Sequence, residues 1–309
     1  MRRPVLVFSL ITLSATQLLA QEPSRVLNGY RFVPSRFVPH PFAVSYFATS
    51  TGGGVAFDLK TPFVDLSGDT LGTLTGDVAF MSLAFQYQQR FGKWFAARFG
   101  FTGSGRLGID EQSVLAQGVT GSFLWNLGAT ARIFQSEKVL VSGAVDLGRT
   151  DLVGLDPFNF AQKIVDEGLG AEDNNLVGTA EAISAVASAS VGWAPAPWIG
   201  VTGVLDVGYG DVTESSPETV IGGGGTVGID LANLGAVPIG FLLAAETDAF
   251  QQGGADLAAR SWTYGFGVFY TGWDDFSIGL ETSMALFDRR DSEEDFEAFI
   301  ATFNLRYWP

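Results

Sequence analysis

His40, in the stretch Val38-Pro39-His40-Pro41-Phe42, is the one imidazole in the chain, so triad or general-base chemistry that needs histidine must run through it. Pro39 and Pro41 flank it and hold the backbone extended. It precedes the regular part of the sequence, far from the acidic connections described below, so a serine–histidine–carboxylate hydrolase is not expected and no catalytic residue is assigned. Cysteine is absent, which removes thiolate metal sites, a thiol nucleophile and disulfides together. Metal chemistry is left to carboxylates. Asp166-Glu167, Glu172-Asp173-Asn174-Asn175 and Asp291, Glu293, Glu294 and Asp295 could offer oxygens to Ca²⁺. None has the spacing of a defined calcium loop, so solvation of an external surface is the better reading, and neither metal nor cofactor is expected.

The remaining chemistry is electrostatic. Eleven charged residues stand on the polar side of runs that alternate between apolar and polar side chains: Arg90, Arg98, Arg106, Arg132 and Arg306, and Asp146, Asp206, Asp230, Glu246, Asp248 and Glu281. Fixed opposite charges along a narrow lumen would order water and orient dipolar solutes. They can share a lumen only if the runs are strands of one closed sheet, since a period of two sends successive side chains to opposite faces.

Twelve such runs are legible, at roughly 41–59, 76–90, 94–106, 117–134, 138–149, 177–193, 198–210, 219–232, 238–249, 259–271, 275–287 and 296–308. Short connections at 91–93, 135–137, 194–197, 233–237 and 272–275 are glycine, proline or polar punctuation of the hairpin kind. Longer acidic connections near 60–75, 107–116, 150–176, 211–218, 250–258 and 288–295 alternate with them, and 157–167 could form a short helix capped by Asp156. On the apolar side stand rows such as Met81, Leu83, Phe85 and Tyr87, or Trp262, Tyr264, Phe266, Val268 and Tyr270. So much aromatic surface could not fit inside a barrel, but a bilayer would accept it. Trp94, Trp193, Trp198, Trp273 and Tyr307, near run ends, suit interfacial girdles. The fold class is therefore all-β: a single closed antiparallel transmembrane barrel of twelve strands, trimmed at one end and elaborated at the other. A β-sandwich also alternates, but its strands usually run five or six residues.

Residues 1–20, with Arg2 and Arg3 before an apolar stretch, read as a secretory signal peptide. Taking those two arginines from the 18 basic residues leaves 16 against 33 acidic ones, a net charge of about −17 that argues against a nucleic-acid partner. Residues 21–40 form a periplasmic lead-in, and 41–309 the barrel. The lead-in carries a small repeat, Arg31-Phe32-Val33-Pro34 echoed by Arg36-Phe37-Val38-Pro39; it either stays outside or enters the acidic lumen as a plug.

The signal peptide, the alternation of short turns with long loops, and the final strand ending in Tyr307-Trp308 resemble a bacterial outer-membrane β-barrel of the twelve-strand size. The resemblance implies an outer-membrane location, contact with lipid and lipopolysaccharide, and assembly by the barrel-assembly machinery, which reads the last strand. Barrels of this size include nucleoside channels, acidic-oligosaccharide channels and a phospholipase, so shape alone selects no function.

Twelve strands about 4.8 Å apart and tilted about 40° enclose a backbone diameter of roughly 24 Å, reduced by side chains to a free lumen of roughly 10 Å or less. Small residues on the polar side, Ala182, Ser184, Ser188 and Ser190 in the sixth run and Gly222 to Gly225 in the eighth, favour an open interior, although the glycines also suit curvature or a bulge. The arginines fall on runs two, three, four and twelve and the acids on five, seven, eight, nine and eleven, which predicts two opposed walls of charge. The expected function is a passive channel for small polar solutes; the alternative is a non-conducting structural or surface-interaction barrel.

Overall fold

A computed structural model describes residues 25–64, 70–109, 118–155, 177–212, 218–235, 237–248, 259–289 and 296–309. The signal-peptide assignment, the helix at 157–167 and most of the acidic connections fall outside these residues. Two short strands, β1 (Val26–Leu27) and β2 (Tyr30–Arg31), pair as a small hairpin. Twelve longer ones follow: β3 (Tyr46–Val64), β4 (Thr70–Phe91), β5 (Phe95–Gly108), β6 (Val119–Gln135), β7 (Val139–Leu155), β8 (Val177–Ala196), β9 (Ile199–Val212), β10 (Glu218–Asp230), β11 (Ile239–Asp248), β12 (Ala259–Tyr270), β13 (Phe276–Arg289) and β14 (Phe296–Tyr307).

Each strand pairs antiparallel with its sequence neighbours, and β14 returns to pair with β3, from Glu297↔Phe57 to Tyr307↔Phe47, so the sheet has no free edge. Closure leaves neither β3 nor β14 with an exposed ladder. The hairpins that trim one end use glycine where the backbone turns to positive φ, at Gly92 (67°) and Gly235 (77°).

Alternation sorts the side chains as the pattern requires. On β14, Phe299, Ala301, Phe303 and Tyr307 are exposed while Thr302 is buried. Leu280, Leu205, Ile221 and Met81 are 61–70% exposed on the outer surface. Neighbouring aromatics meet there across the strands: Phe47 edge-on to Phe85 at 4.9 Å, and Phe101 tilted against Trp125 at 4.5 Å. Trp94, Trp193, Trp198, Trp273 and Tyr307 are likewise exposed near the short-turn end.

Two local expectations change. The first barrel strand begins at Tyr46, not near 41, because residues 41–45 belong to the inner segment described next. The glycines at 222–225 form no bulge, since β10 keeps unbroken register through all four with β9 and through Gly223 to Gly225 with β11. Real shifts occur elsewhere, between Arg132 and Phe134 and between Trp193 and Ala196.

Candidate functional site

The lumen is the candidate site, and its main occupant is the segment before β3. Residues 25–45 run inside the ring. The hairpin β1–β2 is tied to the short turns: the Asn28 side chain donates to the carbonyls of Ala194 and Pro195 at 3.1 Å, Arg25 donates to the Asp274 carbonyl at 2.7 Å, and Arg31 pairs with the Asp274 carboxylate. Arg25 also lies over the Trp308 ring, 3.4 Å from its centroid, which covers the inward face of the last aromatic residue. Burial, with Arg31 and Arg306 close by, lowers the Arg25 guanidinium to about 9, still charged at neutral pH.

Above this rim sits an apolar cluster of Leu27, Tyr30, Phe32, Phe42, Val44, Tyr46, Leu140 and Trp308. The barrel wall is carved to receive it. A Cβ added at Gly200 would lie 2.1 Å from the Tyr30 ring, one at Gly228 would lie 2.2 Å from the Tyr30 hydroxyl oxygen, and one at Gly192 would lie 3.1 Å from Pro41. These glycines face inward on β8, β9 and β10, and without them the ring of Tyr30 has no slot.

The segment then climbs to an apex at Ser35–Phe37 and returns through Val38, which packs against Val204 and Ala244. The two copies of the Arg-Phe-Val-Pro repeat flank Ser35, one on each side of this turn. At the apex the backbone N–H of Arg36 donates to the Glu281 carboxylate at 3.0 Å, and its guanidinium donates to the hydroxyls of Thr302 and Ser82, both at 2.9 Å. Of the two expectations for the lead-in, the position of residues 25–45 matches the one that enters the lumen.

A cavity of about 280 Å³ opens beside the apex. Five of the eleven charged candidates line it: Arg98, Asp146, Asp206, Glu246 and Arg306. Asn126, Ser184, Ser188, Gln86 and Asn304 add neutral polar groups. One Asp206 oxygen is held by Ser188, while the other has no hydrogen-bond partner among the described residues. Arg306 lies 5.3 Å from the Tyr46 ring centroid, with one terminal nitrogen unpartnered among the described residues.

The other six candidates are placed differently. Glu281 is buried under the plug, where Arg36 and Asn304 (2.7 Å) hold it. Asp230 is structural: it accepts from the Thr271 hydroxyl at 2.8 Å and from the Ala232 N–H at 3.0 Å, capping a short turn. Arg90 turns to the rim and donates to the Gly92 carbonyl at 2.6 Å. Arg106 and Arg132 are half-buried beyond the cavity lining. Asp248 is in β11, and its side chain lies outside the described residues.

Within the expected distribution of charge, Arg98 and Asp146 do not face each other across the lumen but pair along the wall, at 2.5 and 3.3 Å. The two residues lie in one hydrogen-bonded row on β5 and β7, and between them β6 presents Gly128, where a Cβ would fall 1.9 Å from Asp146 Oδ1. A glycine in the middle strand thus lets charges two strands apart meet.

His40 is buried in the returning leg. Its Nδ1 accepts from the Phe42 N–H at 3.2 Å, its ring stands 4.9 Å from that of Tyr46, and Nε2 has no partner among the described residues. Burial, reinforced by Arg306, Arg98 and Arg25, pushes its pKa well below the usual range, so the ring is neutral. No serine or carboxylate hydrogen bond to it is present among the described residues, and no group of three or more His, Asp or Glu there could hold a metal ion.

No protein-family model matches the chain, and no curated protein matches it. Solved structures do. An outer-membrane channel from Pseudomonas putida F1 aligns with a TM-score of 0.50 at 11% identity, covering 89% of this chain and 99% of that one. The translocator domain of the autotransporter NalP from Neisseria meningitidis aligns at 0.47 and 11%, covering 98% and 94%. The outer-membrane protease OmpT from Escherichia coli aligns at 0.33 and 7%, covering 86% and 97%. At these identities the likeness is one of fold, so the chain shares the architecture of bacterial outer-membrane β-barrels.

Proposed function

We propose that this protein is an outer-membrane channel for small polar solutes, not an enzyme, and that it is closed at rest by residues 25–45 at its periplasmic end. The observation that carries the reading is the pairing of a polar, charge-lined cavity with a separate segment that closes it. The strand side chains leave a lumen wide enough to be filled by another part of the chain, and that part is attached by contacts that can be undone. A barrel with only a structural role could fill its interior with its own strand residues.

Planar-bilayer recordings of the full-length protein test this. Wild type should show low basal conductance that rises when the plug is weakened, and a barrel that never conducts with its plug displaced would overturn the channel reading. Asp206, which lines the cavity with one carboxylate oxygen unpartnered among the described residues, should bias the open pore toward cations. Neutralising it as Asp206→Asn is expected to move the reversal potential toward anion selectivity in a salt gradient.

One observation favours the non-conducting alternative: the apolar cluster around Leu27, Tyr30, Phe32 and Phe42 seats the segment firmly. The two readings separate on whether displacing that cluster yields current.

The membrane placement has its own test. Leu280, the fifth of the 14 residues of β13, is 61% exposed. An arginine facing lipid costs about 2–4 kcal/mol at the midplane and less towards the interfaces, so Leu280→Arg should lower unfolding stability in lipid vesicles by up to that amount. An unchanged midpoint would argue against lipid contact there.

A further inference from the structure

The place that Arg36 occupies is built to hold a guanidinium. Thr302 on β14, Gly52 on β3 and Ser82 on β4 lie in one register row. The middle strand contributes no side chain, and a Cβ on Gly52 would fall 2.7 Å from the Thr302 hydroxyl oxygen. The two hydroxyls that remain on either side each accept from a different terminal nitrogen of Arg36, at 2.9 Å. A planar fork with donors at fixed spacing suits two separated acceptors better than a point-charge ammonium does. Glu281, 2% exposed, stands directly across from Thr302 on β13 and supplies the negative charge, with Asn304 fixing one of its oxygens. No ion pair joins Glu281 to Arg306 among the described residues, so with the apex withdrawn its carboxylate would lose the Arg36 N–H bond and face the lumen.

We propose that this pocket, formed by Ser82, Thr302, Glu281 and Asn304, is a binding site for solutes that carry a guanidinium group, and that Arg36 is its internal substitute. The proposal rests on the channel reading for its role in transport, but the site itself does not depend on conduction. A guanidinium solute entering from the cavity passes Asp206 and Glu246, whose charge concentrates cations at the approach. On arrival it competes with Arg36, and binding and release of the apex become one event.

The test uses the full-length protein purified in detergent, with methylguanidinium as probe and methylurea, its uncharged near-isostere, as control, at constant ionic strength. In Arg36→Ala the guanidinium's place between Thr302 and Ser82 is vacant, while the backbone N–H at position 36 can still reach Glu281, and titration calorimetry should show saturable methylguanidinium binding at least tenfold tighter than in wild type, where that place is occupied most of the time. The gain should disappear in Arg36→Ala/Glu281→Gln, and methylurea should not reproduce it. Undiminished binding in that double variant, or equal binding of methylurea, would overturn the site. The wild-type chain supplies a second measurement that needs no variant to fold: methylguanidinium should raise its open probability in planar bilayers, and methylurea should not. Binding without current in any variant would sink the channel reading and leave the site standing. Current without the binding difference would do the reverse.

Discussion

Gly200→Val/Gly228→Val is expected to convert a closed barrel into a conducting one. Tyr30 is 3% exposed, and its ring and hydroxyl fill the space above these two inward glycines. A single added Cβ would stand 2.1 Å from the ring at one position and 2.2 Å from the hydroxyl oxygen at the other, and valine adds two methyl groups to each. Both glycines lie in continuous register, paired with each other as Gly228↔Gly200, so the wall cannot bulge to relieve the clash without breaking that row. The ring must leave. Overpacking of this kind costs typically about 1–3 kcal/mol per site, and 1.4 kcal/mol is tenfold in an equilibrium, so the pair should shift docking by a factor of roughly 30 or more. The β-branched replacement suits a strand, so the barrel should still assemble. The readouts are single-channel conductance and protease sensitivity of the segment around Arg31 and Arg36. Unchanged resistance to both would show that Tyr30 does not anchor the plug.

The barrel is legible in the sequence because its determinants are local. Period-two alternation, glycine and proline turns and rows such as Phe299, Ala301, Phe303 and Tyr307 can be counted along one strand at a time. The lumen is less legible because its contacts depend on register between strands. That Arg98 and Asp146 share a row, with Gly128 between them, cannot be read from either residue's neighbours. The same holds for Thr302, Gly52 and Ser82. The glycines at 192, 200 and 228 read as ordinary strand glycines, and only the plug beside them gives them a purpose. One signal does point to the plug: the repeat of Arg-Phe-Val-Pro, basic and stiff, beside a barrel rich in acids. Its apex residue Arg36 does not stand out from Arg31, since nothing in the repeat distinguishes the copy that meets Glu281 from the copy that meets the rim.

Acidification should open the same gate. His40 is neutral where it lies, its Nδ1 accepting from Phe42 and its ring facing Tyr46 of β3, with Arg306 of β14, Arg98 of β5 and Arg25 of the segment itself as the charges that oppose its protonation. Once the segment undocks, the imidazole meets water and regains an ordinary value near 6.5. The docked pKa is therefore the lower one, and the undocked state binds the extra proton. Docking keeps its full stability above about pH 6.5 and loses it as pH falls, by at most tenfold in the equilibrium constant per unit, until the docked pKa is reached. Between pH 7 and pH 4.5 that amounts to a shift of up to roughly 100-fold toward the open form. Glu281, Asp230 and Asp274 also hold the segment or its seat, so acid could act through them. His40→Gln separates the causes, because it keeps a polar group of similar size but cannot take a proton. Open probability recorded from pH 7.5 to 4.5 should rise steeply in wild type and stay nearly flat in His40→Gln. Parallel curves for the two proteins would assign the acid response to the carboxylates.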